Sequence, residues 1–184
     1  MRHFVLSAAT AALLVFIAPP AEAQGFWASL GAGTGRQRVT CEICRGDGNG
    51  GWTARAAAGT TLNARLRLGG ELAGWTDRTD GVRFTYVSVA PTLYWYPTSR
   101  QAYFLTAGLS YVFYRASAEG ETIGASGLGF AVGTGYDLPL RGRYALTPFA
   151  TYSISLPTNL TRDQAIIVDA QLSLFQVGLG VTRR

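Results

Sequence analysis

The chain has 184 residues, with 23 glycines, 12% aromatic and only 15% charged residues. Its net charge is +5, and every basic residue is an arginine. These arginines are scattered rather than clustered, which argues against a nucleic-acid partner, and beyond the N-terminal segment no run reaches the roughly 20 apolar residues that a spanning helix needs.

Arg2 and His3 form a short basic start, Phe4–Ile17 is apolar and alanine-rich, and Pro19, Pro20 and the small-x-small triplet Ala21-Glu22-Ala23 follow. This pattern predicts a secretory signal peptide over 1–23 with cleavage before Gln24, since the apolar run is short for a membrane anchor. No cysteine follows the cleavage point, so no lipoprotein anchor is indicated. The remainder, 24–184, has the size of one domain.

The mature chain reads as a series of two-faced strands, because side chains alternate sides along a strand. In Phe26–Val39, Phe26, Ala28, Leu30 and Ala32 oppose Trp27, Ser29, Gly31, Gly33 and Gly35. Thr40–Gly51 is polar and glycine-rich, hence a loop. In Trp52–Leu62, Trp52, Ala54, Ala56 and Ala58 oppose Thr53, Arg55, Gly59 and Thr61, and Asn63-Ala64 allows a tight turn. In Arg65–Thr76, Leu66, Leu68 and Leu72 alternate with Arg65, Arg67, Gly69 and Glu71. Asp77–Gly81 reads as a short polar loop. In Val82–Tyr96, Val87, Val89, Leu93 and Trp95 oppose Tyr86, Ser88, Thr92 and Tyr94. Pro91 has no N–H to give a ladder, which predicts a bulge or local distortion there.

Ala102–Arg115 shows the pattern most clearly. Tyr103, Leu105, Ala107, Leu109, Tyr111 and Phe113 form a row that is apolar in the middle and aromatic at each end. Phe104, Thr106, Gly108, Ser110, Val112 and Tyr114 form the other row, mostly small or polar in the middle. One face prefers hydrocarbon with aromatics at two interfaces, and the other tolerates water and close packing. After the loop Ala116–Glu121, Thr122–Tyr136 sets Leu128, Phe130, Val132 and Tyr136 against a glycine-rich row that leaves room for large side chains from elsewhere. Asp137–Arg143 is a turn, Tyr144–Leu156 is the seventh strand, and Pro157–Gln164 is a loop. In Ala165–Arg184, Val168, Ala170 and Leu172 are in phase, but from Phe175 the apolar phase flips. A bulge near Leu174, or a first part lying beyond the membrane, would account for it.

Eight strands joined by hairpins predict an all-β fold: an eight-stranded antiparallel up-and-down transmembrane β-barrel. The connections after strands two, four and six look tight, and the longer polar loops follow strands one, three, five and seven. By the rule for bacterial barrels this puts both termini in the periplasm and Thr40–Gly51 outside. FWASLGAGTG after the signal, AYFLTAGLSYVFY, LTPFATYS and FQVGLGV together resemble the OmpA/OmpX-like group of small outer-membrane barrels over essentially the whole mature chain. The resemblance implies a bacterial outer-membrane location and an architecture, not an activity. Many members of that group end in an aromatic residue that resembles an assembly signal. This chain ends Val181-Thr182-Arg183-Arg184, which implies a variant signal such as Phe175 with Leu179.

Candidate chemistry is sparse. The one histidine, His3, lies in the signal segment, so the mature protein lacks the usual general base and the commonest metal ligand. No catalytic residue, cofactor or metal site is predicted. Cys41 and Cys44 form C-E-I-C in a predicted outside loop, where a small disulfide is favoured over metal or redox use. Asp47-Gly48-Asn49-Gly50 lacks the rest of a calcium loop and reads as a polar turn, and Arg45-Gly46-Asp47 is a tripeptide of a kind that chance supplies. Arg55, Arg65, Arg67 and Glu71 fall on the interior rows, where charge avoids the roughly 2–4 kcal/mol that a midplane arginine costs against lipid. They form either a salt-bridged plug or the lining of a small ion path, and the narrowness of eight strands favours the plug. Trp52, Trp95, Tyr103, Tyr111, Phe113 and Tyr144 are read as interface anchors.

The reading is therefore a monomeric scaffold in outer-membrane lipid, presenting loops to an extracellular partner. A small-solute or ion pore is the first alternative. A soluble lipocalin-like carrier with the faces reversed is the second, and an envelope enzyme is the weakest.

Overall fold

The computed structural model describes residues 25–41, 48–98, 102–118, 121–162 and 165–184. The predicted signal segment, Cys44 and the rest of the 42–47 stretch lie outside the described residues. Ten strands follow in chain order: β1 (Phe26–Thr40), β2 (Asn49–Thr61), β3 (Leu66–Thr79), β4 (Val82–Trp95), β5 (Tyr103–Ala118), β6 (Glu121–Tyr136), β7 (Leu138–Pro139), β8 (Tyr144–Ser155), β9 (Thr158–Arg162) and β10 (Ala165–Arg183). Eight of them, all but the short β7 and β9, form a closed antiparallel ring. β1 is bonded to β2 on one side and β10 on the other, so the ring has no free edge.

Partners can be followed round the ring from Phe26 through Thr60, Leu68, Leu93, Ala107, Val132, Tyr152 and Phe175. The path returns to β1 at Arg36, ten residues further along. A stagger of that size in an eight-stranded ring tilts the strands by about 40° and leaves an interior just wide enough for side chains.

The alternation decides the two surfaces. Leu109, Leu128 and Leu179, in the middle of their strands, point outward and are 61%, 62% and 57% exposed. Phe26, Trp95, Tyr103, Tyr136 and Tyr144 are exposed at the turn end, and Trp52, Tyr111, Phe113 and Phe175 toward the opposite end. A continuous apolar belt between two aromatic girdles faces hydrocarbon, not water. The soluble-carrier alternative needs the reverse arrangement and is contradicted by this belt.

Several sequence expectations are corrected. Of the two outcomes expected at Pro91, the bulge is absent and the local distortion is present: its pairing with Gly70 on β3 is in register, and the β4–β5 register is the same at Val89↔Tyr111 as at Thr92↔Gly108. The ladder to β5 is interrupted only over Ala90–Pro91, because the ring nitrogen has no proton to give. Nor is there a bulge at Leu174. β10 keeps one register with β1 from Gln171 to Arg183. Leu172 and Leu174 point inward and are fully buried, while Phe175 points outward. The apolar phase flips because the interior itself turns apolar at that height; the backbone does not change phase. The one shift on β10 lies higher, between Ile166 and Val168, against β9.

The outside connections are also shorter than the sequence suggested. β3 and β4 stay paired to Thr79↔Val82, leaving only Asp80-Gly81 as the turn. Both residues have positive φ, 51° and 78°, the type I′ geometry that Asp-Gly favours. Most of the predicted loop Asp77–Gly81 is therefore strand. Likewise β9 forms inside the predicted loop Pro157–Gln164. Thr158 Oγ1 donates to the Ser126 carbonyl (2.6 Å) and Thr161 Oγ1 to that of Gly124 (3.1 Å).

Candidate functional site

The inward rows can hold large side chains because glycines stand where those side chains lie. An added Cβ at Gly31 would sit 2.7 Å from Phe149 Cε1, and one at Gly178 would sit 2.8 Å from Phe149 Cζ. At Gly135 an added Cβ would run into the Phe104 ring. The room expected on the β6 glycine row is thus occupied by an aromatic from β5.

At the turn end the interior is ionic and aromatic. Arg55 Nη2 donates to Glu71 Oε2 (2.8 Å) and to Tyr94 Oη (2.7 Å), and Tyr94 donates to the same carboxylate oxygen (3.0 Å). The Arg55 guanidinium also lies 5.0 Å from the centroid of Phe149, so β2 meets β8 across the ring. Nearer the end, Arg67 Nη1 donates to Tyr96 Oη (2.8 Å), and Tyr96 donates to Asp137 Oδ2 (3.1 Å). Asp137 also accepts from Arg184 Nη2 (2.6 Å) and, through Oδ1, from Thr147 Oγ1 (2.7 Å). Thr182 donates to Thr147 Oγ1 (2.9 Å), and its hydroxyl lies 3.0 Å from that of Ser29. Trp27, Tyr94, Tyr96 and Phe104 pack around these groups, with Trp27 edge-on to Tyr94 at 4.7 Å.

Toward the outside end the interior is an apolar cluster. Trp75, Tyr86, Val112, Tyr114, Leu172 and Leu174 are buried together, with Val39, Phe84 and Leu160 against them. Two of its polar groups find local partners. Tyr86 and Ser153 share a 2.8 Å hydrogen bond from β4 to β8, and Trp75 Nε1 donates to the Gly35 carbonyl (3.2 Å).

Of the predicted interior charges, the structure brings Arg55 and Glu71 into direct contact and places Arg67 beside Asp137. Arg65 is a correction: it is exposed in the turn between β2 and β3. The Asn63 side chain accepts from the backbone N–H groups of Arg65 and Leu66 (2.8 and 3.0 Å), so β3 begins at Leu66 and the alternation does not yet govern residue 65. Asp137, Arg184 and Thr147 were not singled out from sequence. The signal was present: Gly133 and Gly135 point inward, and the same parity extended past the strand reaches Asp137, as parity from Thr182 reaches Arg184. Trp52, Tyr111 and Phe113 stand at the outside end of the belt and Trp95, Tyr103 and Tyr144 at the turn end, all exposed. Cys41, just past the end of β1, is disulfide-bonded; its expected partner Cys44 lies outside the described residues.

No family model matches the chain, and no curated protein matches it. Solved structures do. Neisserial surface protein A aligns with TM-score 0.65 and 17% identity, over 86% of this chain and 96% of its own. Ail of Yersinia pestis, solved in complex with the heparin analogue sucrose octasulfate, aligns with TM-score 0.58 and 16% identity, over 86% of this chain and 99% of its own. The fold is that of the small outer-membrane β-barrels. AlkL, solved in lipid bilayers, aligns with TM-score 0.51 and 12% identity, over 91% of this chain and 96% of its own. With its apolar belt and two girdles, the chain has that fold with a surface built to face lipid.

Proposed function

We propose that this barrel is a non-conducting scaffold, a membrane-held platform that displays its extracellular loops and strand ends to a partner outside the cell. The observation that carries this reading is the two-level filling of the interior. The Arg55–Glu71–Tyr94 and Arg67–Tyr96–Asp137–Arg184 contacts occupy one level, and the Trp75–Tyr86–Leu172–Leu174 cluster the other. An ion would have to displace both a buried ionic network and an apolar layer, where a bare charge loses its hydration without compensation. The wall itself also favours filling over conduction, since eight strands enclose little more than side-chain volume. The disulfide at Cys41 and the β9 strand stiffen the outside end, which suits a display surface.

The reading assigns no chemistry to the interior. Its only carboxylates among the described residues at the turn end, Glu71 and Asp137, are both committed to arginine pairs, leaving neither poised as a free acid or base. The test is single-channel recording of the purified, heat-modifiable protein in a planar bilayer. No resolved current steps are expected from the wild type. A steady, ohmic conductance from folded wild-type protein would overturn the scaffold reading in favour of a pore.

A further inference from the structure

The outward face carries a second group of arginines, above the belt. Arg115 stands two residues beyond Phe113 on the same face of β5, Arg83 four residues beyond Val87 on β4, and Arg78 two beyond Thr76 on β3; all three are exposed. In the ladder Arg78 lies directly opposite Arg83. Arg115 faces Thr85, which puts it one diagonal step from Arg83. Like charges directly opposite in an antiparallel pair are destabilising, and long side chains reach across such diagonals. Among the described residues none of the three makes an ion pair. Asp77, next to Arg78 in the chain, takes the opposite phase and accepts from Thr79 Oγ1 at 2.7 Å. Three neighbouring cations thus stand together at the membrane edge without an ion pair among the described residues.

A groove of about 1100 Å³ runs along this wall past Arg83 and Arg115. Thr85, Ser117, Thr122 and Asn159 give it hydroxyl and amide groups, and Val87 and Phe113 line its apolar lower part. Thr85, Val87, Phe113 and Arg115 all belong to the outward rows, so the groove opens sideways toward lipid rather than into the interior. β9, paired to β6, borders it on the far side through Thr158 and Thr161.

We propose that this groove holds the phosphorylated headgroup of an outer-leaflet lipid. Arg83 and Arg115 would take the phosphate, with Arg78 adding positive potential and the acyl chains descending over Val87 and Phe113. Arginine suits the task because its planar fork binds phosphate oxygens in pairs. The height suits it too, since anionic headgroups lie immediately outside the hydrocarbon boundary that the girdle marks. An occupying phosphate would offset the Arg78–Arg83 repulsion, which no ion pair among the described residues relieves. This inference concerns the outer wall and does not depend on whether the interior conducts.

The test uses the full mature chain folded in phosphatidylcholine nanodiscs containing bisphosphorylated lipid A. The protein is released into mild detergent, and the lipid that stays bound is counted by native mass spectrometry. Wild type is expected to retain lipid A but not its dephosphorylated form. The double variant Arg83→Gln/Arg115→Gln is expected to retain about tenfold less, the scale of one lost charge-assisted contact. Arg141→Gln/Arg143→Gln removes the same charge at the periplasmic turn and should retain lipid A as wild type does. The heat-modifiable gel shift reports folding of each variant. Should the arginine pair prove necessary for folding, Thr85→Glu places a carboxylate opposite Arg115 and should cause the same loss. Wild-type retention by the double variant, an equal loss in the periplasmic control, or equal retention of the dephosphorylated lipid would each overturn the site.

Discussion

Near the short turns and the chain termini the interior is held by charge, with Asp137 receiving Arg184, Tyr96 and Thr147 while Arg55 is shared between Glu71 and Tyr94. Toward the outside the same ring is filled by Trp75, Val112, Leu172 and Leu174, which contribute area rather than specific partners. The two ends therefore differ in how they fail. Removing one member of the ionic network leaves other charges buried without compensation. Removing one member of the apolar cluster leaves a void that neighbours can partly close. The turn end should be brittle and the outside end tolerant.

The largest effect is expected at Asp137. Asp137→Ala leaves Arg67 buried and Arg184 half-buried without their carboxylate, and breaking a buried pair in this way costs about 3–5 kcal/mol. Urea titration of the protein folded in vesicles, followed by the gel shift of the folded band, measures it. A loss below that of an average surface substitution would erase the contrast between the two ends. Leu172→Ala is the matching change in the other half. Leu172 is fully buried, and its truncation should cost about 2–3 kcal/mol, at the lower end of the Leu→Ala range, because Leu174 and the half-buried Leu160 can move into the space. If Leu172→Ala proves more damaging than Asp137→Ala, the outside cluster and not the ionic network is the rigid part.

A finer comparison uses two tyrosines. Tyr86→Phe keeps the ring and deletes one neutral hydrogen bond to Ser153, worth about 1 kcal/mol. Tyr94→Phe deletes bonds to both Arg55 and Glu71, and hydrogen bonds to charged groups are worth about 1.5–3 kcal/mol. The same urea titration should separate the two variants, and equal losses would show that the Arg55–Glu71 pair is satisfied without Tyr94.

Much of this architecture was legible in the sequence for a simple reason. Alternation in Tyr103–Tyr114 fixes which side chains point outward once one face is apolar and aromatic-ended, and the same logic carries through all eight ring strands. What sequence reading missed has equally specific causes. The phase change at Phe175 reads as a bulge only if the interior is polar at every height, and Leu172 and Leu174 show that it is not. Asp80-Gly81 reads as part of a loop until the type I′ turn is recognised. Asp137 reads as a turn residue if alternation ends at Tyr136, but the chain keeps its inward parity for one more residue. The contacts that join opposite walls, such as Arg55 over Phe149 and Tyr86 with Ser153, depend on the ten-residue stagger, and strand patterns alone do not reveal stagger.

The smallest predicted effect tests the boundary of the ionic end most sharply. Arg65 and Arg67 are two residues apart on the same side of the sequence pattern, yet one is exposed in a turn and the other is buried 2.8 Å from Tyr96. Arg67→Gln removes a buried cation from a network that Asp137 balances and should cost about 3 kcal/mol. Arg65→Gln touches only solvent, since the Asn63 side chain holds the turn through backbone N–H groups that the substitution keeps. Its effect should stay within about 0.5 kcal/mol. Urea midpoints of the two variants, measured side by side at low and at high salt, give the answer. A near-neutral, salt-insensitive Arg65→Gln beside a costly Arg67→Gln places the edge of the network between these two residues. Comparable losses at both positions would mean that the β2–β3 turn folds inward in the bilayer and that Arg65 belongs to the interior after all.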